Sequence, residues 1–78
     1  MDWKNRIESG PAICGGRPRV KGTRVTVEFL LGLNAAGWAE AQILDSYPHL
    51  GEQDLLAVFA FAQARIEEEK YMPLPRVA

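Results

Sequence analysis

Residues 55–64, Leu-Leu-Ala-Val-Phe-Ala-Phe-Ala-Gln-Ala, constrain this chain most. Leu55, Val58, Phe59, Ala62 and Ile66 recur at helical spacing and form one stripe. Leu56, Ala57, Ala60, Phe61 and Ala64 form a second. A helix that is apolar most of the way round must be covered on more than one side. The chain has 78 residues. A domain this small buries only about 60% of the surface its unfolded chain exposes. Its own core supplies roughly 3–5 kcal/mol of net stability. Cys14 is the single cysteine, so no internal disulfide forms. Cys14 and His49 are too few ligands for a structural zinc, and no metal or other cofactor is expected. The remaining way to cover the helix is another chain. Leu55, Val58, Phe59, Phe61 and Ala62 are therefore the candidate dimer or partner interface. The alternative is a single central core helix.

The rest of the back half also reads as helix, and the expected fold class is mainly α. A first helix is predicted over 27–36, with Val27, Leu30, Leu31 and Leu33 on its apolar face and Gly37 as its stop. A second is predicted over 39–47, with Ala39, Ile43 and Leu44 on one side and Pro48 beyond its end. The third is predicted over 52–71. Glu52 and Asp54 in its first turn complement the helix dipole, and Pro73 and Pro75 close it.

The front is punctuated by glycine. Gly15, Gly16 and Gly22 mark turns, because glycine takes positive φ at little cost. Val20, Thr23, Val25, Thr26 and Val27 favour short strands. Gly15-Gly16 predicts a hairpin or tight turn before the Arg19-Val20 strand. Pro18 lacks a ladder donor and belongs at an edge. Arg6-Ile7-Glu8 is a further candidate strand. The expected architecture is one domain. Residues 1–26 form a basic β/turn segment, 27–71 a helical core, and 72–78 an extended tail.

Charge divides along the same line. Residues 1–24 carry six cations against two acids, a net +4, and residues 25–78 carry three against eight, a net −5. Arg17, Arg19 and Lys21 alternate, so in a strand they share one face. Three cations on one face repel each other unless an anion lies opposite. A row of phosphates is such an anion, and a two-stranded ribbon fits the DNA major groove. Arg24 joins the patch, with the Thr23 hydroxyl as a neutral phosphate donor. Arg17, Arg19, Lys21, Thr23 and Arg24 are the candidate DNA contacts, and Gly15, Gly16, Pro18 and Gly22 shape the turns. The competing reading is solubilising charge that protects an edge strand. Neither back helix suits the role of major-groove reader. The third leads with Gly51, Glu52, Gln53 and Asp54, and the second with Glu40 and Gln42.

Catalysis has no visible site. His49 sits in a turn, Tyr47-Pro48-His49-Leu50-Gly51. Neither Cys14 nor Ser9 or Ser46 has the base and orienting group a nucleophile needs. No phosphate-loop motif is present. The expected protein is not an enzyme and takes no small-molecule substrate. No apolar run approaches the roughly 20 residues of a membrane span. Met1-Asp2-Trp3-Lys4 has no signal character, so a cytoplasmic location is expected.

The string Ile13-Cys14-Gly15-Gly16-Arg17-Pro18-Arg19-Val20-Lys21-Gly22-Thr23-Arg24-Val25 resembles the opening motif of the domain-of-unknown-function 433 family. Ala35-Ala36-Gly37-Trp38 and Ile43-Leu44-Asp45-Ser46-Tyr47-Pro48-His49-Leu50 resemble it too, and the likeness covers about residues 5–66. The resemblance implies a homeodomain-like three-helix domain preceded by a short β-hairpin or strand element. It also implies a VapB-like antitoxin, paired with a PIN-like ribonuclease toxin and binding its own promoter DNA, with helix-turn-helix character. The sequence departs from the family pattern in the unusually apolar third helix, which puts weight on assembly as a homodimer. Tyr71, Met72 and Leu74 are the expected toxin-binding residues. The nearby prolines favour extension and lower the ordering cost of docking.

Overall fold

The computed structural model describes residues 1–68. A 3-10 turn at Trp3–Asn5 opens the chain, and the Asp2 carboxylate accepts from the Lys4 N–H at 3.1 Å. Strand β1 (Ile7–Glu8) pairs antiparallel with β2 (Arg19–Val20), Ile7 opposite Val20 and Glu8 opposite Arg19. Helices α1 (Val27–Ala35), α2 (Glu40–Ser46) and α3 (Glu52–Glu68) follow. The described chain is thus a mainly helical, three-helix unit with a two-stranded element in front, as expected.

The expected turn at Gly15-Gly16 exists, but it does not join the paired strands. Cys14–Gly16 is a 3-10 turn inside the longer connection, with Cys14, Gly15 and Gly16 all at positive φ (54°, 63° and 80°). The strand partner is Ile7–Glu8, joined to Arg19–Val20 by the ten residues 9–18. The second arm of β-branched residues folds back on β2 instead. The Val20 N–H donates to the Val25 carbonyl at 2.9 Å, the Val27 N–H donates to the Pro18 carbonyl at 3.0 Å, and Arg19 bridges Thr26. Pro18 contributes only its carbonyl here, which suits a residue without an N–H.

Each helix is held by a specific end. The Thr26 hydroxyl accepts from the Phe29 N–H at 3.0 Å and starts α1. At the other end Gly37 takes φ 97°, the Trp38 N–H donates to the Leu33 carbonyl, and the Gly37 N–H donates to the Asn34 carbonyl. That double bond pattern is a complete glycine stop. The Gln42 side chain reaches back to the Ala39 N–H at 2.8 Å to start α2. The Asp54 carboxylate accepts from the Gly51 N–H at 2.9 Å at the head of α3.

The core runs through all these elements. Ile7, Val20, Val27, Leu30, Ile43, Leu50, Leu55, Ala57 and Val58 are buried, with Trp3, Leu31, Trp38, Tyr47 and Phe61 packed against them. Trp3 and Phe61 meet edge to face at 4.8 Å, which fastens the opening turn to α3.

Candidate nucleic-acid and protein contact surfaces

The hairpin tip at residues 21–24 is built by polar tethers. The Thr23 hydroxyl donates to the Val20 carbonyl at 2.8 Å and accepts from the Val25 N–H at 3.1 Å. Gly22 takes φ 78°, and its N–H donates to the Glu8 carboxylate at 3.1 Å. The Lys21 N–H donates to the Arg6 carbonyl at 2.7 Å. Behind the tip the Cys14 thiol donates to the Arg24 carbonyl at 3.4 Å.

These bonds change the expected contact set. Lys21 and Arg24 stand exposed at the tip, and Arg17 is exposed before β2, 3.7 Å from Glu28 on α1. Arg19 does not share their face. It is 7% exposed, and its Nη2 donates to Glu8 Oε1 at 3.2 Å. Its Nη1 is buried without a hydrogen-bond partner. The alternation argument fails because β2 is only two residues long and both of them turn inward. Thr23 is also corrected: its one donor is already committed to a backbone carbonyl, so it has none for a phosphate. Gly15, Gly16 and Gly22 take positive φ as turn residues, and Pro18 lies between the turn and β2.

Glu8 is the residue that sequence reasoning missed. One carboxylate oxygen receives both the Arg19 guanidinium and the Gly22 N–H, so it joins β1, β2 and the tip. The only signal for it was the candidate strand at Arg6-Ile7-Glu8, and the register that sets Glu8 opposite Arg19 is a property of the fold. Arg6 is likewise withdrawn from the cationic surface by Asp54 at 3.1 Å.

The expected interface on α3 divides in the same manner. Leu55 and Val58 belong to the core, Phe61 packs on Trp3, and Ala62 is half-buried. Those residues cover the inner face and are corrected as partner contacts, apart from the edge that Phe61 and Ala62 leave accessible. Phe59 alone of the five stands well out, 43% exposed. Leu56 and Ile66 join it at 50% and 53%. The outward stripe is therefore Leu56, Phe59 and Ile66, a mixture of the two stripes legible in the sequence. Tyr71, Met72 and Leu74 lie outside the described residues.

An open furrow runs between Trp3, Pro18, Phe61 and Arg65, and a second, mostly apolar one between Arg17, Pro18, Leu31 and Phe61. Neither is lined by a histidine; Glu8 and Ser9 also line the first, but the Glu8 Oε1 is taken by Arg19 and the Gly22 N–H. Among the described residues no three His, Cys, Asp or Glu side chains cluster as metal ligands. No described helix is long and apolar enough to cross a membrane.

Fold and surfaces together define a small helical domain with a strand-stabilised basic tip on one side and an uncovered apolar helix face. Residues 7–62 match the family model described as "Protein of unknown function (DUF433)", and the chain belongs to that family. The crystal structure of a DUF433 member protein from Anabaena variabilis ATCC 29413 is similar, with a TM-score of 0.77 at 31% identity. The likeness covers 83% of this chain and 64% of that one, so this chain spans less than two thirds of its relative. No curated protein matches the chain.

Proposed function

We propose that the chain is a non-enzymatic, DNA-binding regulator of the antitoxin type. Its cytoplasmic role is to bind its own promoter and to neutralise a PIN-like ribonuclease toxin. Arg17, Lys21 and Arg24 contact phosphate, and the outer face of α3 contacts protein. The observation that carries the DNA half is the tip at residues 21–24. Two cations stand exposed on a turn whose backbone is fixed by Glu8, Thr23 and Arg6. A fixed turn presents charge to an anion with little further ordering cost. With Arg17 counted, a dimer contributes six exposed cations, and its affinity for DNA falls with salt at a log–log slope of about −5. The test is titration of the protein on its own upstream DNA at low salt, with and without toxin. Absence of binding in both conditions overturns the DNA half.

A second reading is a protein-interaction module that never touches DNA. Loss of Arg19 and Thr23 from the contact set favours it, as does the acidic lead of α3. Its basic tip then faces an acidic protein surface. Binding to toxin without any binding to DNA selects this reading.

A further inference from the structure

We propose that the outer face of α3 pairs with the same face of a second copy of this chain, with the two helices antiparallel. The inference rests on reading that face as a protein-contact surface, and it names the partner and the register. Leu56, Phe59, Gln63 and Ile66 are spaced three, four and three residues apart and all are exposed. That spacing is the seam of a two-helix contact, with one polar member among three apolar ones. At 1.5 Å per residue the seam is about 15 Å long.

The seam is self-complementary in one direction only. In an antiparallel pair Leu56 falls opposite the partner's Ile66, and Phe59 opposite the partner's Gln63. Gln53, Ala60 and Glu67 follow one another seven residues apart along one flank, all outside the core. A two-fold axis across the helices sets like flank against like flank, running in opposite directions. Ala60 then meets the partner's Ala60, and a small residue at the centre lets the helices approach. Gln53 meets the partner's Glu67, an amide donor against a carboxylate. In a parallel pair each seam position meets itself, so Glu52, one heptad before Phe59, lies against Glu52 of the partner subunit. Like charges across a helix contact are destabilising, and parallel helix dipoles add to the repulsion. Charge therefore selects the antiparallel arrangement.

The contact is small. A seam of this length buries less than the roughly 1,200 Å² of a standard interface, so the dimer is reversible, half-formed at concentrations on the order of 1–100 μM. The test uses the full chain with Cys14→Ser, which removes the native thiol and keeps a donor for the Arg24 carbonyl. Leu56→Cys and Ile66→Cys are made separately in this background, and untreated samples of each alone and of an equimolar mixture are treated in parallel with a short bismaleimide. Unchanged helical circular dichroism establishes that each is folded.

The expected result is little cross-linking of either variant alone and at least tenfold more in the mixture. Equal or stronger cross-linking of each variant with itself overturns the antiparallel register. Wild-type protein that sediments as a monomer at 200 μM, roughly twice the top of the estimated range, overturns the pairing altogether. Phe59→Glu, an exposed change, weakens dimerisation at least tenfold, and a dimer indifferent to it also overturns the proposal. DNA titration of the same samples keeps the two readings apart. A monomer that still binds DNA defeats only the pairing, and a cross-linked antiparallel dimer that binds none defeats only the DNA half of the function.

Discussion

The front hairpin and α3 are organised by opposite means. The hairpin's two-residue strands give Ile7 and Val20 to the core, but its turns are held by particular polar atoms: Glu8 on Arg19 and Gly22, Thr23 on Val20 and Val25, Arg6 on Lys21. Helix α3 is held mainly by burial of Leu55, Ala57 and Val58, with its polar ties gathered at its head, where Asp54 meets Arg6 and the Gly51 N–H. A region of the first kind fails when one atom is lost. A region of the second kind fails only when the inner face is breached, and it tolerates change on the outer face.

The largest expected effect tests that last contrast. Val58 is 1% exposed, and Val58→Asp introduces a charge into the core with no partner. It costs at least about 4 kcal/mol and unfolds a domain of this size. Phe59→Glu, one residue away, shifts stability by no more than about 1 kcal/mol. Chemical denaturation of the two variants measures both, and equal losses would break the division of α3 into inner and outer faces.

Next comes the hairpin's polar tie. Glu8→Ala leaves the buried Arg19 guanidinium without its carboxylate. The expected loss is about 2–3 kcal/mol, below that for a fully buried pair because Glu8 is partly solvated. Adding Arg19→Met to Glu8→Ala removes the stranded charge and restores most of that loss. If the double variant is no more stable than the single one, the Glu8–Arg19 pair is not what holds the hairpin.

Gly22→Ala is smaller. At φ 78° the new Cβ meets no neighbouring atom, so the cost is the left-handed backbone alone, about 1–2 kcal/mol. Thr26→Ala removes the α1 cap and costs about 1 kcal/mol, readable as a lower thermal midpoint. Lys21→Ala and Arg24→Ala sit at the other extreme. Their side chains are exposed with no ion pair among the described residues, and each changes stability by no more than about 0.5 kcal/mol.

The same contrast explains what was legible in the sequence. Periodicity marked all three helices, and chemistry marked their ends: Gly37 does stop α1 and Pro48 does follow α2. Periodicity did not say which of two stripes on α3 faces inward. Leu55 and Leu56 are both leucine, and the packing of α3 against the opening turn, β1, α1 and α2 buries the first and leaves the second exposed. In the hairpin the turn glycines were legible and the pairing was not. Strand register depends on a ten-residue connection, and a one-residue difference reverses which side chains point inward. Arg19 therefore looked like its neighbours Arg17 and Lys21 until the register set it against Glu8.

The central claim is that DNA is met by the tip cations Lys21 and Arg24 and not by Arg19. The most direct measurement is the salt dependence of binding to the upstream DNA for wild type, Lys21→Ala/Arg24→Ala and Arg19→Met. With two contacts removed per protomer, the tip variant of a dimer is expected to flatten the log–log slope by about 3.6, while Arg19→Met keeps the wild-type slope. A tip variant with the wild-type slope, or a slope that falls only when Arg19 is replaced, contradicts the account.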